Sequence, residues 1–409
     1  MLNRYLRRGI TYWKDVPQGP PDPILGVAEA FKKDSSSQKV NLGVGAYRDD
    51  QGKPWLLPSV QKAEEKIFNS KADHEYLPIE GLHSFISASA KLAYGDTPAL
   101  AEGRIACVQS LSGTGCLRLG MSFLKRFYNK SDNVLLPKPT WGNHKNIAKD
   151  TGLQWKEYTY YNPSNLRLDF EGMMKDIEAA QEGSILILHS CAHNPTGIDL
   201  NNEQWGQLAE LVEKKQHLPF FDSAYQGFAS GDTDKDGYAP RLFAKKGFPI
   251  LLAQSFAKNF GLYGERVGLL SMVCEDKDEA ERVLSQLKIL ARPMYSNPPL
   301  HGARIVSTVL NDQTLSKQWQ EDVKTMAGRI MEMRAALVGN LSELGSKHDW
   351  THITDQIGMF AYTGLNQEQC KKITQDHHVY LTMDGRISIA GLNNSNVKYV
   401  AEAIHKVTS

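Results

Sequence analysis

The sequence predicts an α/β protein: a large domain built on a mostly parallel seven-stranded sheet, covered by helices on both faces, with a smaller α/β domain beside it. Three observations carry that prediction. Apolar runs of strand length recur near Ile105–Val108, Asn133–Leu136, Leu153–Tyr158, Ser184–His189, Leu218–Phe221, Ile250–Ala253 and Gly268–Val273. Helical patterns separate many of them, most clearly at Gly115–Phe127, Phe170–Ala180 and Glu203–Lys215. Unbroken apolar strands joined by helices are buried on both faces, which describes a parallel or mixed sheet with right-handed crossovers. Finally, residues 350–409 carry a second alternation of their own, so they form a separate, smaller unit.

In chain order, the first residues are basic. Arg4, Arg7 and Arg8 precede the first acid, Asp15, and Leu2, Leu6 and Ile10 recur at four-residue spacing. A short helix there would separate apolar and basic faces, like the end of a mitochondrial transit peptide, with a plain basic arm as the alternative. Prolines between Pro17 and Pro23 favour extended backbone. Ile24 to Lys33 reads as a short helix with Asp22 as its cap. Asn41 to Arg48 reads as a strand entering a glycine-bearing loop, and the strand–helix alternation begins near residue 58. A helix at Leu284–Leu290 is predicted to end at Arg292-Pro293, followed by a loop at Tyr295–Pro299 and a long helix from about Thr314 to Leu344. The last unit reads as strand Gly358–Tyr362, helix Gln367–Asp376, strands Val379–Leu381 and Arg386–Ile389, and helix Asn396–Val407. The N-terminal stretch is too short to fold alone and is assigned to this unit. The division is therefore 1–20 (transit-like segment and arm), 21–55 (first part of the small domain), 56–325 (large domain) and 326–409 (second part of the small domain).

Composition excludes several functions. The 47 Lys and Arg nearly balance the 46 Asp and Glu, so the chain is no electrostatic trap for nucleic acid. No apolar run approaches the roughly 20 residues of a membrane helix. The five cysteines, Cys107, Cys116, Cys191, Cys274 and Cys370, are widely spaced with no CxxC, so neither a disulfide framework nor a zinc site is implied. No HExxH, nucleophile elbow or Walker A pattern occurs. Ser255-x-x-Lys258 matches a penicillin-binding motif, but Ser131-Asp132-Asn133 precedes it and no Lys-Thr-Gly exists.

One ordered set does carry chemistry. Lys258 lies eight residues before Arg266, with Asp222 and Tyr225 upstream. An amine that can form an imine, an arginine that can hold a phosphate and a carboxylate that can keep a pyridine nitrogen protonated are what pyridoxal phosphate asks of a protein. Ser112-Gly113-Thr114-Gly115 follows a strand and opens a helix, and reads either as a phosphate cup or as an ordinary glycine-rich helix start. His189, His193 and Asn194 fall just past a strand end, where open α/β sheets bind ligands, although both histidines also suit a core. Asp222 follows a strand directly. Buried, it needs a cationic or donor partner; the alternative is a solvated loop residue.

Together these stretches resemble the aspartate aminotransferases, class I members of the fold-type I pyridoxal-phosphate transferases. The resemblance runs from about residue 18 to the end, and Gly19 to Val27 is similar to mitochondrial members. It implies reversible, ping-pong transfer of an amino group between L-aspartate and 2-oxoglutarate, giving oxaloacetate and L-glutamate. It also implies a homodimer with shared active sites, in the mitochondrial matrix or alternatively the cytoplasm. By resemblance, Lys258 holds the cofactor's aldehyde end and shuttles the substrate's Cα proton. Asp222 pairs with the ring nitrogen, assisted by His144 and His189. Tyr225 and Asn194 bond the ring oxygen, and Trp141 stacks on the ring. Ser112, Gly113, Thr114, Ser255 and Arg266 hold the phosphate with Tyr76 of the second subunit. Arg386 grips the substrate α-carboxylate near Gly45, and Arg292 of the neighbouring subunit grips the side-chain carboxylate. Guanidinium binds carboxylate in a two-pronged fork, so two arginines can measure a diacid. An aromatic or broad-specificity aminotransferase, or a non-catalytic lipid-anion binder on the same fold, are the alternatives.

Overall fold

The computed structural model describes residues 12–19 and 25–409; the basic segment at Arg4, Arg7 and Arg8 and the Asp22 cap lie outside them. All seven predicted runs are strands of one sheet: β1 (Ile105–Leu111), β2 (Asn133–Lys138), β3 (Gln154–Thr159), β4 (Ile185–His189), β5 (Leu218–Ser223), β6 (Leu251–Ser255) and β7 (Val267–Val273). Their order across the sheet is β1-β7-β6-β5-β4-β2-β3. Only β7 opposes its neighbours, running antiparallel to β1 and β6. The remaining pairs are parallel.

Burial on both faces explains why these strands are continuously apolar. Neighbours Phe220 and Phe221 are both fully buried yet join different cores. Leu251 and Leu252 split in the same way. Successive side chains of a strand point to opposite faces, so two helical layers are required, and each buried Leu or Phe contributes about 1.5–3 kcal/mol. A third core joins the long helix Gln313–Glu343 to both ends of the chain. Trp319 on that helix stacks on Phe260 at 4.7 Å and donates its indole N–H to the Asn259 carbonyl at 2.8 Å. Farther along, Leu337 and Leu341 share a core with Val400 and Ile404 of the last helix, Val397–Thr408. Val40–Asn41 pairs in parallel with Val379–Tyr380, and Phe360–Tyr362 antiparallel with Arg386–Ser388.

Several elements depart from expectation, among them two helices. The helix read as Leu284–Leu290 spans Lys277–Tyr295, with Pro293 inside its last turn. Asp276 caps its start by accepting from the Glu279 N–H at 2.7 Å. So near the C-terminus, proline removes one backbone bond without stopping the chain, and the helix closes through Ser296 N–H to the Arg292 carbonyl. The stretch His301–Asn311, which the sequence reading left unassigned, is also a helix, its buried face carrying Ala303, Ile305, Val306 and Val309. All five cysteines are free, four of them buried and Cys107 half-buried.

The opposed strand has a consequence. The carboxyl ends of β1, β2, β4, β5 and β6 share one edge of the sheet, and the reversed β7 brings its amino end, and so Arg266, to that same edge. A Cβ on Gly268 would lie 2.6 Å from the Gln254 carbonyl oxygen and 2.7 Å from Ser112 C. Both are backbone atoms that cannot yield cheaply. Gly268→Ala is therefore expected to lower stability in urea unfolding by about 2 kcal/mol. Gly206→Ala, in open space on the helix Asn202–Lys214, should instead raise it by about 0.5–1 kcal/mol.

Candidate active site at the carboxyl edge of the sheet

That edge holds a cleft of about 570 Å³ lined by Ser112, Gly113, Thr114, Trp141, His189, Asn194, Asp222, Tyr225, Ser255, Lys258 and Arg266. Eleven of the expected residues thus meet in one place. Trp141 and Asn194 also line a second, larger cleft that contains Arg386, so the two spaces share a wall.

At one end lies a polar cup. Helix Ser112–Phe127 begins immediately after β1, so its free N–H groups face the cleft, a disposition that favours anions. Ser112 and Ser255 hydroxyls meet at 2.8 Å. Ser112 (φ 61°) and Arg266 (φ 54°) both adopt left-handed backbone without being glycine. Such positions cost roughly 1–3 kcal/mol each and cluster at ligand clamps. Among the described residues the Arg266 guanidinium donates only to the Tyr263 carbonyl, at 2.9 Å.

At the other end Asp222 lies within β5, one residue before its end rather than just beyond it, in register with His189. Its side chain is 11% exposed. Oδ2 accepts from His144 Nε2 at 3.0 Å, and His144 Nδ1 meets Thr140 Oγ1 at 2.8 Å. Thr140 in turn reaches His189 Nε2 at 3.4 Å, while His189 Nδ1 accepts the Asn194 backbone N–H at 3.3 Å. Since Nδ1 of His189 accepts, its proton sits on Nε2, and the donations run in one direction: His189 to Thr140 to His144 to Asp222. Burial pushes the Asp222 carboxyl up, but the His144 hydrogen bond, with the nearby Lys258 amine, outweighs it and holds the pKa below the usual carboxylate value. Burial keeps His189 well below an ordinary histidine. Oδ1 of Asp222 has no hydrogen-bond partner among the described residues and lies 3.9 Å from where a Gly113 Cβ would be.

Between the two ends sits Lys258, its Nζ 5.3 Å from the Tyr225 ring centroid and without a hydrogen bond or ion pair among the described residues. Burial lowers its pKa, Arg266 lowers it further, and Asp222 partly opposes both. Tyr225 is raised by burial and by Asp222. In the adjoining cleft Arg386, 4% exposed, donates from Nη2 to the Gly43 carbonyl at 2.8 Å and rests 4.2 Å over the Phe360 ring, while its Nε has no partner among the described residues. Gly45 packs on the same ring: a Cβ there would fall 2.7 Å from Phe360 Cζ.

His144 stands behind Asp222 and does not line the cleft. Tyr76, 82% exposed, and Arg292, also exposed, line neither cleft of their own chain. The sequence reading missed Cys191 and Ala224 in the cleft wall, Thr140 between the histidines and Phe360 under Arg386. Thr140 and Phe360 act through contacts that no local pattern announces. Cys191, two residues past His189, was legible by position alone.

Comparison with known proteins gives the family of the chain. The model of the family "Aminotransferase class I and II" matches residues 37–404. Mitochondrial aspartate aminotransferase of Gallus gallus is 56% identical over 402 residues, 98% of this chain and 95% of that protein. Among solved structures, cytoplasmic aspartate aminotransferase of Saccharomyces cerevisiae is 46% identical with a TM-score of 0.95, covering 97% of this chain and 98% of that one. The aromatic-amino-acid aminotransferase of Burkholderia pseudomallei, covalently bound to pyridoxal phosphate, is 40% identical with a TM-score of 0.95, covering 98% and 100%. The chain belongs to the class I and II aminotransferase family.

The lowered Lys258 pKa sets a test. The cation is disfavoured in the fold, so it weakens the cofactor-free protein fully below the folded pKa. This cost fades as pH rises toward the ordinary lysine value of 10.5. Cofactor-free Lys258→Met should therefore be more stable than the unaltered chain at pH 7, with the gap narrowing by pH 10 in urea titrations.

Proposed function

We propose that this chain is a pyridoxal-phosphate-dependent aminotransferase that interconverts L-aspartate plus 2-oxoglutarate with oxaloacetate plus L-glutamate by a ping-pong scheme. The observation that carries the reading is the convergence, in one cleft, of a buried amine, a carboxylate held ionised and a strained polar cup, beside an arginine that makes no ion pair among the described residues.

The residues fit the cofactor. The free Oδ1 of Asp222 suits a protonated ring nitrogen, and Ser112, Gly113, Thr114, Ser255 and Arg266 suit a phosphate. Trp141 offers a ring face, Asn194 and Tyr225 offer donors, and Lys258 is the amine for the aldehyde end. When bound, pyridoxal phosphate supplies an electron-withdrawing ring that spreads the charge left on Cα after proton removal. The protein supplies the rest. Asp222, oriented by His144, favours the protonated ring nitrogen and so the electron-poor ring. Lys258 needs an accessible neutral amine to bind an aldehyde and to take the Cα proton, and burial beside Arg266 moves it in that direction. Arg386 receives the α-carboxylate; its buried Nε and absent acid leave the fork available.

The small domain, 21–55 with 326–409, carries Gly45 and Arg386, and the large domain, 56–325, carries Lys258, so substrate lies between them. Arg292 and Tyr76 stand outside their own clefts, and Arg292 borders an apolar groove of about 1060 Å³ with Ile79, Leu284, Ile289 and Pro293. This supports a homodimer in which each subunit lends Tyr76 and Arg292 to the other's site. The mitochondrial names of its relatives in Gallus gallus, Xenopus tropicalis and Dictyostelium discoideum support the matrix as its location. Among the described residues no helix is long and apolar enough to cross a membrane. An aromatic-amino-acid enzyme shares the fold, so the second arginine decides the substrate.

Two results are expected. Arg292→Asp should lower kcat/KM for aspartate by roughly 10²-fold or more, and for phenylalanine far less, since only the diacid loses a charge-assisted pair; equal losses would remove Arg292 from specificity. Mixed dimers of Lys258→Ala and Arg292→Asp chains should regain activity, because one of their two sites then has both residues intact. Inactive hybrids would refute a shared site.

A further inference from the structure

The long helix carries a buried cation that no acid among the described residues answers. Arg334 is 2% exposed. Among the described residues its hydrogen bonds run only to main-chain carbonyls: Nη1 to Ile353 at 2.8 Å, and Nη2 to Gly358 at 2.8 Å and Phe360 at 2.5 Å. Its Nε has no partner. A charge buried in this way is costly unless its geometry does something a hydrophobic side chain could not.

The three carbonyls belong to one short segment, Ile353–Phe360, and that segment touches the site on two sides. On one side, the Ile357 N–H donates to the Gly197 carbonyl at 2.7 Å. A Cβ on Gly197 would fall 2.7 Å from the Phe360 carbonyl oxygen, and one on Gly358 would fall 2.3 Å from Ala192 Cβ. The loop bearing Asn194 is thus seated directly on the segment. On the other side, the Phe360 ring supports the Arg386 guanidinium at 4.2 Å, and Tyr362 pairs with Arg386 across the short sheet. The Ile389 N–H bonds the Met359 carbonyl at 2.8 Å.

We infer that Arg334 is a positioning residue that, by gathering the Ile353–Phe360 segment, sets the spacing between the Asn194 loop and the carboxylate-binding Arg386. A planar fork reaches three convergent carbonyls; an ammonium is a single point and an aliphatic chain reaches none. The segment is the spacer, and the arginine fixes its shape from the side away from substrate.

This inference rests on the proposed reading of Arg386 as the α-carboxylate grip, and the test separates the two. Holoenzymes of Arg334→Lys, Arg334→Met and Phe360→Leu are titrated with succinate, a four-carbon diacid lacking an amino group, and the affinity of each apoprotein for pyridoxal phosphate is measured separately. Succinate binding should weaken about tenfold or more in the Arg334 variants, the scale of misplacing a group by a fraction of an ångström to an ångström. Pyridoxal phosphate affinity should stay within about twofold of the unaltered chain, and KM for aspartate should rise more than kcat falls. Phe360→Leu, which keeps the Arg334 bonds, should weaken succinate in the same sense. If Arg334→Met fails to fold, Arg334→Lys carries the test. Unchanged succinate affinity, or equal losses of succinate and pyridoxal phosphate, would overturn the inference. If the unaltered chain itself does not bind succinate, the Arg386 reading fails first and this inference with it.

Discussion

Keeping one carboxylate charged in a place nearly without water is the constraint on which this structure turns. Asp222 sits inside a central strand, where burial pushes its pKa up. Its charge survives because His144 donates to it, and His144 is itself held by Thr140, His189 and the backbone at Asn194. That chain of donors exists only because β4 and β5 are parallel neighbours in a register that sets His189 beside Asp222. The sheet is thus the frame that makes an ionised buried acid tolerable, and the acid is what gives the cleft its chemistry.

The opposed strand does complementary work. By reversing β7, the fold brings Arg266 to the edge where the other strands end, within reach of the cup opened by Ser112. Gly268 permits that approach, and left-handed backbone at Ser112 and Arg266 completes it. On the proposed reading an anion and a ring would be held at opposite ends, with Lys258 between them and, among the described residues, without a competing partner. On the same proposed reading Arg386 is the remaining carboxylate grip, and its guanidinium stands on the Phe360 ring, with no ion pair among the described residues. An arginine already paired with a carboxylate would have to break that pair to bind substrate; this one does not.

The legibility of these features follows from physical range. Strands were readable because two-sided burial leaves an unbroken apolar run, as at Leu251 to Ala253. The cup was readable because glycine and serine at a strand–helix junction are a local signal. The end of the helix at Arg292-Pro293 was misread because proline's cost depends on how many turns follow it, and here fewer than one does. The helix at His301–Asn311 hid because its pattern, cut from a neighbouring loop and a long helix, has few residues on which to show a period. Thr140, Phe360 and Arg334 were invisible for a different reason: each acts on a partner far away in the chain or by a contact with no motif, and Arg334 looks in sequence like any solvated arginine on a long helix. Tyr76 and Arg292 came from the resemblance alone, since nothing within one chain brings them to the cleft.

On the proposed reading, Lys258, Asp222 and the polar cup hold pyridoxal phosphate and present it to amino acids. The most direct measurement is the visible absorption of the purified protein loaded with pyridoxal phosphate, recorded before and after adding L-aspartate and then oxaloacetate. A coloured band that aspartate bleaches and oxaloacetate restores is the predicted result. A protein that takes up no coloured cofactor, or whose band neither amino acid nor keto acid alters, would contradict the account.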